Sequence, residues 1–187
     1  RARLADEEKW PHAVVRMQTR IGVHTGTAIV GNIGSELRFN YTMMGDTVNL
    51  AQRIEAAGSH YGTEILVSGE TVKAATLSDP SIVSRHVDRV VVPGRIQPVE
   101  LHELLGRGRE AREKHRELIE LYEEARNLYC RGLWAEAGRC FALALARERF
   151  PSAKNPSFVM RARCERMHDH PPVENFAFAL AKDGNSI

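Results

Sequence analysis

Apolar residues along this chain follow two different periods, and the change falls near residue 106. Upstream of it, short runs that alternate every second residue predict β-strands. These runs lie at residues 20–24, 27–33, 38–44, 64–67, 85–92 and 99–105. Downstream, apolar positions recur every three or four residues, which predicts helices. The sequence therefore predicts an α+β unit with a mostly antiparallel sheet over residues 1–105, followed by a small α-helical extension over residues 106–187.

Turn residues predict how the first elements connect. Gly26 separates the first two strand runs, and we expect these two strands to pair as a hairpin. Gly45 follows the third strand run in a tight turn, and a helix is expected over residues 46–60. Asp46 is the expected N-cap of that helix, because its side chain can accept hydrogen bonds from the free amides of the first turn. A separate helix is expected over residues 1–10.

The helix at 46–60 carries two distinct faces. Its apolar stripe consists of Leu50, Ile54, Ala57 and Tyr61. Asn49 and Arg53 stand four residues apart beside this stripe, so both side chains leave from one face of the helix. Such a polar pair can be aimed at a ligand. The alternative is that Asn49 bonds locally near the helix start and Arg53 is a solvated surface charge.

The second half of the chain reads as helices joined to the first half by a linker at Gly106–Arg109. Two helices are marked by Leu118, Tyr122, Ala125 and Tyr129, and by Trp134, Ala137, Phe141 and Ala144. Small and aromatic residues at these offsets resemble one tetratricopeptide-type helix pair. One such pair cannot bury its own apolar face, so we expect it to dock on the preceding unit. A third helix is expected over residues 156–168.

Composition narrows the function classes. A formal net charge of +2 is too balanced to favour nucleic-acid binding. No apolar run approaches the length of a membrane span. Three cysteines without metal-ligand spacing indicate reduced thiols in a cytoplasmic domain. The chain begins with Arg1, and we expect it to be a segment of a longer protein.

Three linked blocks then identify a family resemblance. They read Arg-Ile-Gly-Val-His-Thr-Gly at 20–26, Val-Gly-Asn-Ile-Gly-Ser at 30–35, and Tyr-Thr-Met-Met-Gly-Asp-Thr-Val-Asn-Leu-Ala-Gln-Arg-Ile-Glu at 41–55. In this order and spacing they resemble the class III adenylate and guanylate cyclase catalytic domain. The resemblance covers about residues 14–105 and implies the C-terminal half of a ferredoxin-like domain. The helical extension is similar to one that follows this domain in bacterial members.

The resemblance implies a reaction and a role for five residues. Members convert a nucleoside triphosphate into a 3′,5′-cyclic nucleotide and pyrophosphate. By position in the motifs, Asn49 would orient the ribose and Arg53 would stabilise charge on the α-phosphate. Thr42 matches the position that reads the purine and is typical of adenylate cyclases. Arg95 would hold the triphosphate, and Arg20 would reach the same phosphates from the metal-binding subunit.

The resemblance also implies a cofactor that this chain does not hold by itself. Members bind two Mg²⁺ or Mn²⁺ ions through two aspartates that precede the position of Arg20. No stretch of this chain matches those aspartates, nor the lysine that partners the purine-reading residue. We therefore assign no metal ligand here and expect the segment alone to be inactive, because two-metal activation would be lost.

Partners and alternatives follow from the same resemblance. ATP is the expected substrate, and a second cyclase domain, in a homodimer, is the expected protein partner. One alternative is a pseudo-cyclase that only dimerises or binds nucleotide; Pro93 favours it mildly, because the family commonly has Lys there. The other alternative is guanylate cyclase activity, which Thr42 disfavours.

Overall fold

The computed structural model describes residues 19–35, 38–149, 154–170 and 178–179. The strands are β1 (Ile21–Val23), β2 (Ile29–Ser35), β3 (Arg38–Met44), β4 (Ile65–Ser68), β5 (Ile82–Val91), β6 (Val99–Arg107) and β7 (Phe178–Ala179). The helices are α1 (Asp46–Tyr61), α2 (Gly69–Ser78), α3 (Gly108–Cys130), α4 (Trp134–Leu145) and α5 (Pro156–Asp169). The helix predicted for residues 1–10 lies outside the described residues.

Five strands form one sheet in the order β1-β4-β6-β5-β7, and β2 and β3 form a separate ladder. The β2/β3, β4/β6 and β5/β6 pairs are antiparallel, whereas β1/β4 and β5/β7 are parallel. The predicted α+β fold with a mostly antiparallel sheet is therefore confirmed.

The predicted hairpin of the first two strands is wrong. β1 pairs in parallel with β4, where Ile21 faces Ile65, and β2 pairs instead with β3. Gly22 allows this arrangement, because a Cβ atom there would lie 2.3 Å from the backbone nitrogen of Glu55 in α1. His24 Nδ1 then lies 2.8 Å from the Ser68 hydroxyl, which ties the end of β1 to the end of β4.

The apolar stripe of α1 packs onto the sheet as predicted. A single core cluster joins the buried residues Leu50, Ile54, Ala57, Tyr61, Leu66, Val87, Val90, Val92, Val99 and Leu101. Burial of this stripe fixes the rotation of α1 about its own axis. The face that carries Asn49 and Arg53 is thereby held away from the core.

The predicted linker at Gly106–Arg109 is wrong, because β6 continues through Arg107 and α3 begins at Gly108. Gly106 and Gly108 have positive φ angles of 155° and 89°, which glycine adopts without strain. A Cβ atom at Gly106 would approach the Cβ of Ala111 to 2.8 Å. The glycines therefore serve a close strand-to-helix turn, although their spacing resembled a flexible connection.

The three predicted helices of the extension are confirmed, and they pack onto the sheet. The Tyr122 hydroxyl of α3 donates a hydrogen bond to the Val87 carbonyl of β5 at 2.9 Å. Arg85 of β5 donates two hydrogen bonds to the Glu148 carboxylate after α4, at 2.8 and 3.0 Å. The tetratricopeptide-type assignment and the domain boundary near residue 106 stay predictions. None of the helices in the described ranges is long and apolar enough to cross a membrane.

Candidate active site

The start of α1 is built on a glycine, and this corrects the expected N-cap. Gly45 is the N-cap, with a φ of 143°, and no side chain caps the helix there. Asp46 is the first helical residue, and its carboxylate lies 3.5 Å from Arg95 Nη2. The Thr47 hydroxyl donates to the Thr27 carbonyl at 2.7 Å, which anchors the helix start to the loop between β1 and β2. Asp46 therefore pairs across the structure and does not cap its own helix.

Arg53 lies against the turn between β5 and β6. A Cβ atom at Gly94 would lie 2.9 Å from Arg53 Nη2, so the guanidinium rests on the backbone of that turn. Gly94 has a φ of 75°, a second reason for glycine at this position. Among the described residues, buried Arg53 Nη1 finds no hydrogen-bond partner. A buried cationic donor without a partner is costly, and an anion that accepts from it would remove the cost.

Asn49 stands one turn before Arg53, and its side chain is exposed. An amide can both donate and accept, so it suits a sugar hydroxyl next to a phosphate held by a guanidinium. Arg95 joins this group from the β5–β6 turn, where it pairs with Asp46. Its backbone amide donates to the Val92 carbonyl at 3.1 Å, which fixes the turn. The structure thus brings Asn49, Arg53 and Arg95 together between the first half of α1 and the β5–β6 turn.

Thr42 and Arg20 belong to other elements than these three residues. Thr42 is exposed on β3, opposite Gly31, two residues before the end of the strand that leads through Gly45 into α1. The Arg20 Nε atom donates to the Glu55 carboxylate at 3.2 Å. Glu55 follows Arg53 by two residues and so points about 200° away from it around the helix. Arg20 therefore lies on the opposite side of α1 from Arg53, and its role in another subunit's site stays a prediction.

In the described part of the chain, the acidic groups near this site do not form a metal centre. Asp46 pairs with Arg95, and Glu70 lies close to His24 and Arg95. Although partial burial opposes it, the pKa of Glu70 is lowered by its own backbone amide and by the Ser68 hydroxyl. The one group of three possible metal ligands in the described ranges lies elsewhere, on β5 and β6. The described residues therefore do not fit the pair of hard ions that the family resemblance implies.

The sequence analysis did not predict two contacts at this site, one of Arg53 with the backbone of Gly94 and one between the side chains of Asp46 and Arg95. The contact of Gly94 with Arg53 joins residues that are far apart in the chain, so no local pattern shows it. The signal that exists is the Pro93–Gly94 pair, which marks a turn. The other contact is the ion pair of Asp46 with Arg95. The sequence shows that the two residues have opposite charges, but not that they meet.

Comparisons with known proteins give a consistent result. The model of the adenylate and guanylate cyclase catalytic domain matches residues 4–106. The adenylate cyclase of Dictyostelium discoideum described as terminal-differentiation specific is 33% identical over 149 residues, which are 79% of this chain and 7% of that protein. Adenylate cyclase 1 of Rhizobium meliloti is 42% identical over 89 residues, which are 48% of this chain and 13% of that protein.

A solved structure matches a similar share of the chain. The adenylyl cyclase CyaB from P. aeruginosa is 35% identical, with 48% of this chain and 43% of that one covered and a TM-score of 0.42. The chain spans only a small fraction of the two curated relatives described above.

Proposed function

Because this chain belongs to the adenylate and guanylate cyclase catalytic domain family, we propose that it supplies the ribose- and phosphate-binding side of an adenylate cyclase active site. The reaction is the conversion of ATP to 3′,5′-cyclic AMP and pyrophosphate in signalling. The observation that carries this proposal is the Arg53 guanidinium, held against the Gly94 turn with a buried donor that lacks a partner among the described residues. Asn49 stands one turn away on the same face.

Each residue has a separate task in this proposal. The ribose 3′-hydroxyl loses its proton to solvent, and its oxygen bonds to the α-phosphorus. The bond between the α-phosphorus and the oxygen that bridges to the β-phosphate breaks, and pyrophosphate leaves in line. Arg53 stabilises the negative charge that develops on the α-phosphate, and Asn49 orients the ribose for attack. Arg95 exchanges its contact with Asp46 for the triphosphate oxygens. In this proposal the residues of the chain position the substrate and supply fixed positive charge.

The site is completed by a second cyclase domain, which would supply Arg20 and the aspartates that hold two Mg²⁺ or Mn²⁺ ions. Exposed apolar residues on the β2–β3 ladder support a partner there. They are Ile29, Val30, Tyr41, Met43 and Met44, with exposed fractions of 72, 51, 76, 57 and 53%. Ile29 pairs with Met44 and Val30 pairs with Met43, so exposed apolar pairs lie on both faces of the ladder. Exposed apolar patches are a usual mark of protein interfaces. We therefore infer a homodimer with shared sites.

The test of the proposed function is product formation by an intact cyclase domain that contains this chain. With Mn²⁺ or Mg²⁺, ATP is expected to give cyclic AMP and pyrophosphate in equal amounts, and GTP is expected to give much less product. Nucleotide binding without turnover would support the pseudo-cyclase alternative, and faster turnover of GTP would support guanylate cyclase activity. The 187-residue chain alone is expected to form no product.

Thr42→Ala is expected to raise the KM for ATP by about two- to tenfold and to change kcat less, because one neutral hydrogen bond to the purine is lost. Steady-state kinetics with ATP and GTP measure this change. The kcat/KM for ATP divided by the kcat/KM for GTP should be lower in the variant than in the wild type. Thr76→Ala on α2 is the matched control, since the Thr76 hydroxyl bonds only within its helix. An unchanged nucleotide preference would remove Thr42 from the site.

A further inference from the structure

Two histidines face each other across β5 and β6, away from the residues discussed above. His86 and His102 are register partners, and their rings stack with centroids 4.5 Å apart and planes 13° from parallel. Glu100 precedes His102 by two residues, so both side chains project from the same face of β6. One possible ligand atom from each of the three residues lies within 4.8 Å of the other two. The pairing of two strands thus builds a cluster of two imidazoles and one carboxylate.

A hydrogen bond to the backbone fixes the tautomer of one of the two imidazoles, that of His86. His86 Nε2 lies 3.1 Å from the Asp88 carbonyl. A carbonyl only accepts hydrogen bonds, so Nε2 carries the proton and Nδ1 carries the lone pair. Ligating histidines commonly have such a partner behind the ring. Burial and the charge of Arg126 lower the pKa of His86 to about 4; burial and the neighbouring imidazole do the same for His102. Both rings are therefore neutral at pH 7.

We propose that His86, Glu100 and His102 bind one divalent transition-metal ion, with Zn²⁺ as the best fit. Two imidazoles and one carboxylate form a common three-ligand zinc set, and a water molecule would take the fourth position. Ligand atoms around tetrahedral zinc are about 3.3 Å apart. The exposed Glu100 side chain can move towards the ion. The two stacked imidazoles must rotate about their side-chain bonds, so that their in-plane nitrogen lone pairs converge on it. The proposal does not rest on the catalytic roles assigned above.

The residues around the histidine cluster affect how tightly Zn²⁺ would bind and which part of the fold it would stabilise. Arg126 of α3 is the cation whose charge acts on both histidines, so it opposes the metal and favours moderate affinity. Glu100 also lies beside Gly69 at the start of α2, where a Cβ atom would meet its carboxylate at 3.0 Å. A bound ion would link β5 to β6, the two strands whose turn carries Gly94 and Arg95. Zn²⁺ should therefore stabilise this hairpin.

The test titrates the full chain with Zn²⁺ against a chromophoric chelator and follows thermal unfolding in parallel. Wild type is expected to bind one equivalent and to unfold at a higher temperature with Zn²⁺. His102→Ala should weaken this binding at least 100-fold, and Glu100→Gln, an exposed change that spares the fold, about tenfold. A millimolar excess of Mg²⁺ should not displace Zn²⁺, because imidazole is a poor ligand for magnesium.

Control variants separate this site from other zinc-binding groups. His115→Ala on α3, and His168→Ala with His170→Ala at the end of α5, should leave the one-equivalent binding and the thermal shift unchanged. Circular dichroism checks that each variant is folded. If Glu100→Gln and folded His102→Ala both keep wild-type affinity and thermal shift, the proposal is overturned, and loss of binding in the His168/His170 variant would instead place the ion on α5.

Discussion

Arg53→Ala in an intact cyclase domain that contains this chain is expected to lower kcat for cyclic AMP formation by about 10²–10³-fold, with a smaller change in KM. The guanidinium would act mainly on charge that develops in the transition state, so its loss affects the rate more than the binding of ATP. The contact with the Gly94 turn holds Arg53 in place before substrate arrives. This preorganisation is the reason to expect a large effect from one side chain. Steady-state rates of cyclic AMP formation measure it.

Two comparisons make this expectation specific. Arg53→Lys keeps the charge but loses the planar fork, so its kcat should remain well below the wild-type value. Arg89→Ala removes an exposed arginine of β5 and should leave kcat unchanged. Unfolding curves must show that each variant is folded, because Arg53 is half-buried. A folded Arg53→Ala variant with a kcat within threefold of wild type would contradict the role proposed for Arg53.

Local patterns were sufficient for the elements that bury one clear face. The stripe of α1 and the two helices of the extension follow from the 3.6-residue period, because burial of that stripe decides the structure. Ser68 is the N-cap of α2, and its hydroxyl accepts a hydrogen bond from the Thr71 amide, which is the usual role of a serine at that position. The Asn49 and Arg53 face was predictable for the same reason. Residues four apart on a helix must share a side wherever the helix packs.

The pairing of the strands and the backbone conformation of the glycines could not be predicted from such local patterns. Alternation shows that residues 20–24 form a strand, but it does not say which strand is the neighbour. The parallel pairing of β1 with β4 depends on the absence of a side chain at Gly22, where the backbone of α1 passes. Asp46 has the residue type of an N-cap, yet the positive φ of Gly45 places the cap one residue earlier. In both cases a glycine decides the structure, Gly22 through its missing side chain and Gly45 through its positive φ angle.

The candidate site shows the same limit. Its helix could be predicted, whereas the turn that supports Arg53 belongs to the next hairpin and meets α1 only in the folded chain. Arg95 was predicted as a site residue from the family resemblance alone. The structure shows what holds its side chain near α1, which is an ion pair with the Asp46 carboxylate. The histidine cluster on β5 and β6 had no sequence signal, because its members are spaced like ordinary strand residues. Strand register creates it.

Arg163→Met is expected to lower the free energy of unfolding by about 3–5 kcal/mol. Arg163 of α5 and Asp88 of β5 are both buried, and Arg163 Nη1 donates to Asp88 Oδ2 at 2.6 Å. The hydroxyl of Tyr61, at the end of α1, donates to the same oxygen. Loss of the guanidinium leaves the Asp88 carboxylate buried without its cation, which is the costly state. Urea denaturation of the full chain measures the change.

A double variant and an exposed control show whether the cost arises from the isolated charge. Asp88→Asn with Arg163→Met removes both charges and should recover a substantial part of the loss. Arg139→Met breaks an exposed ion pair with Glu136 on α4 and should cost less than about 1 kcal/mol. If Arg163→Met costs no more than Arg139→Met, the buried pair does not hold α5 to the sheet. A full effect would instead mean that the extension helps to fix the end of α1, the helix that carries Asn49 and Arg53.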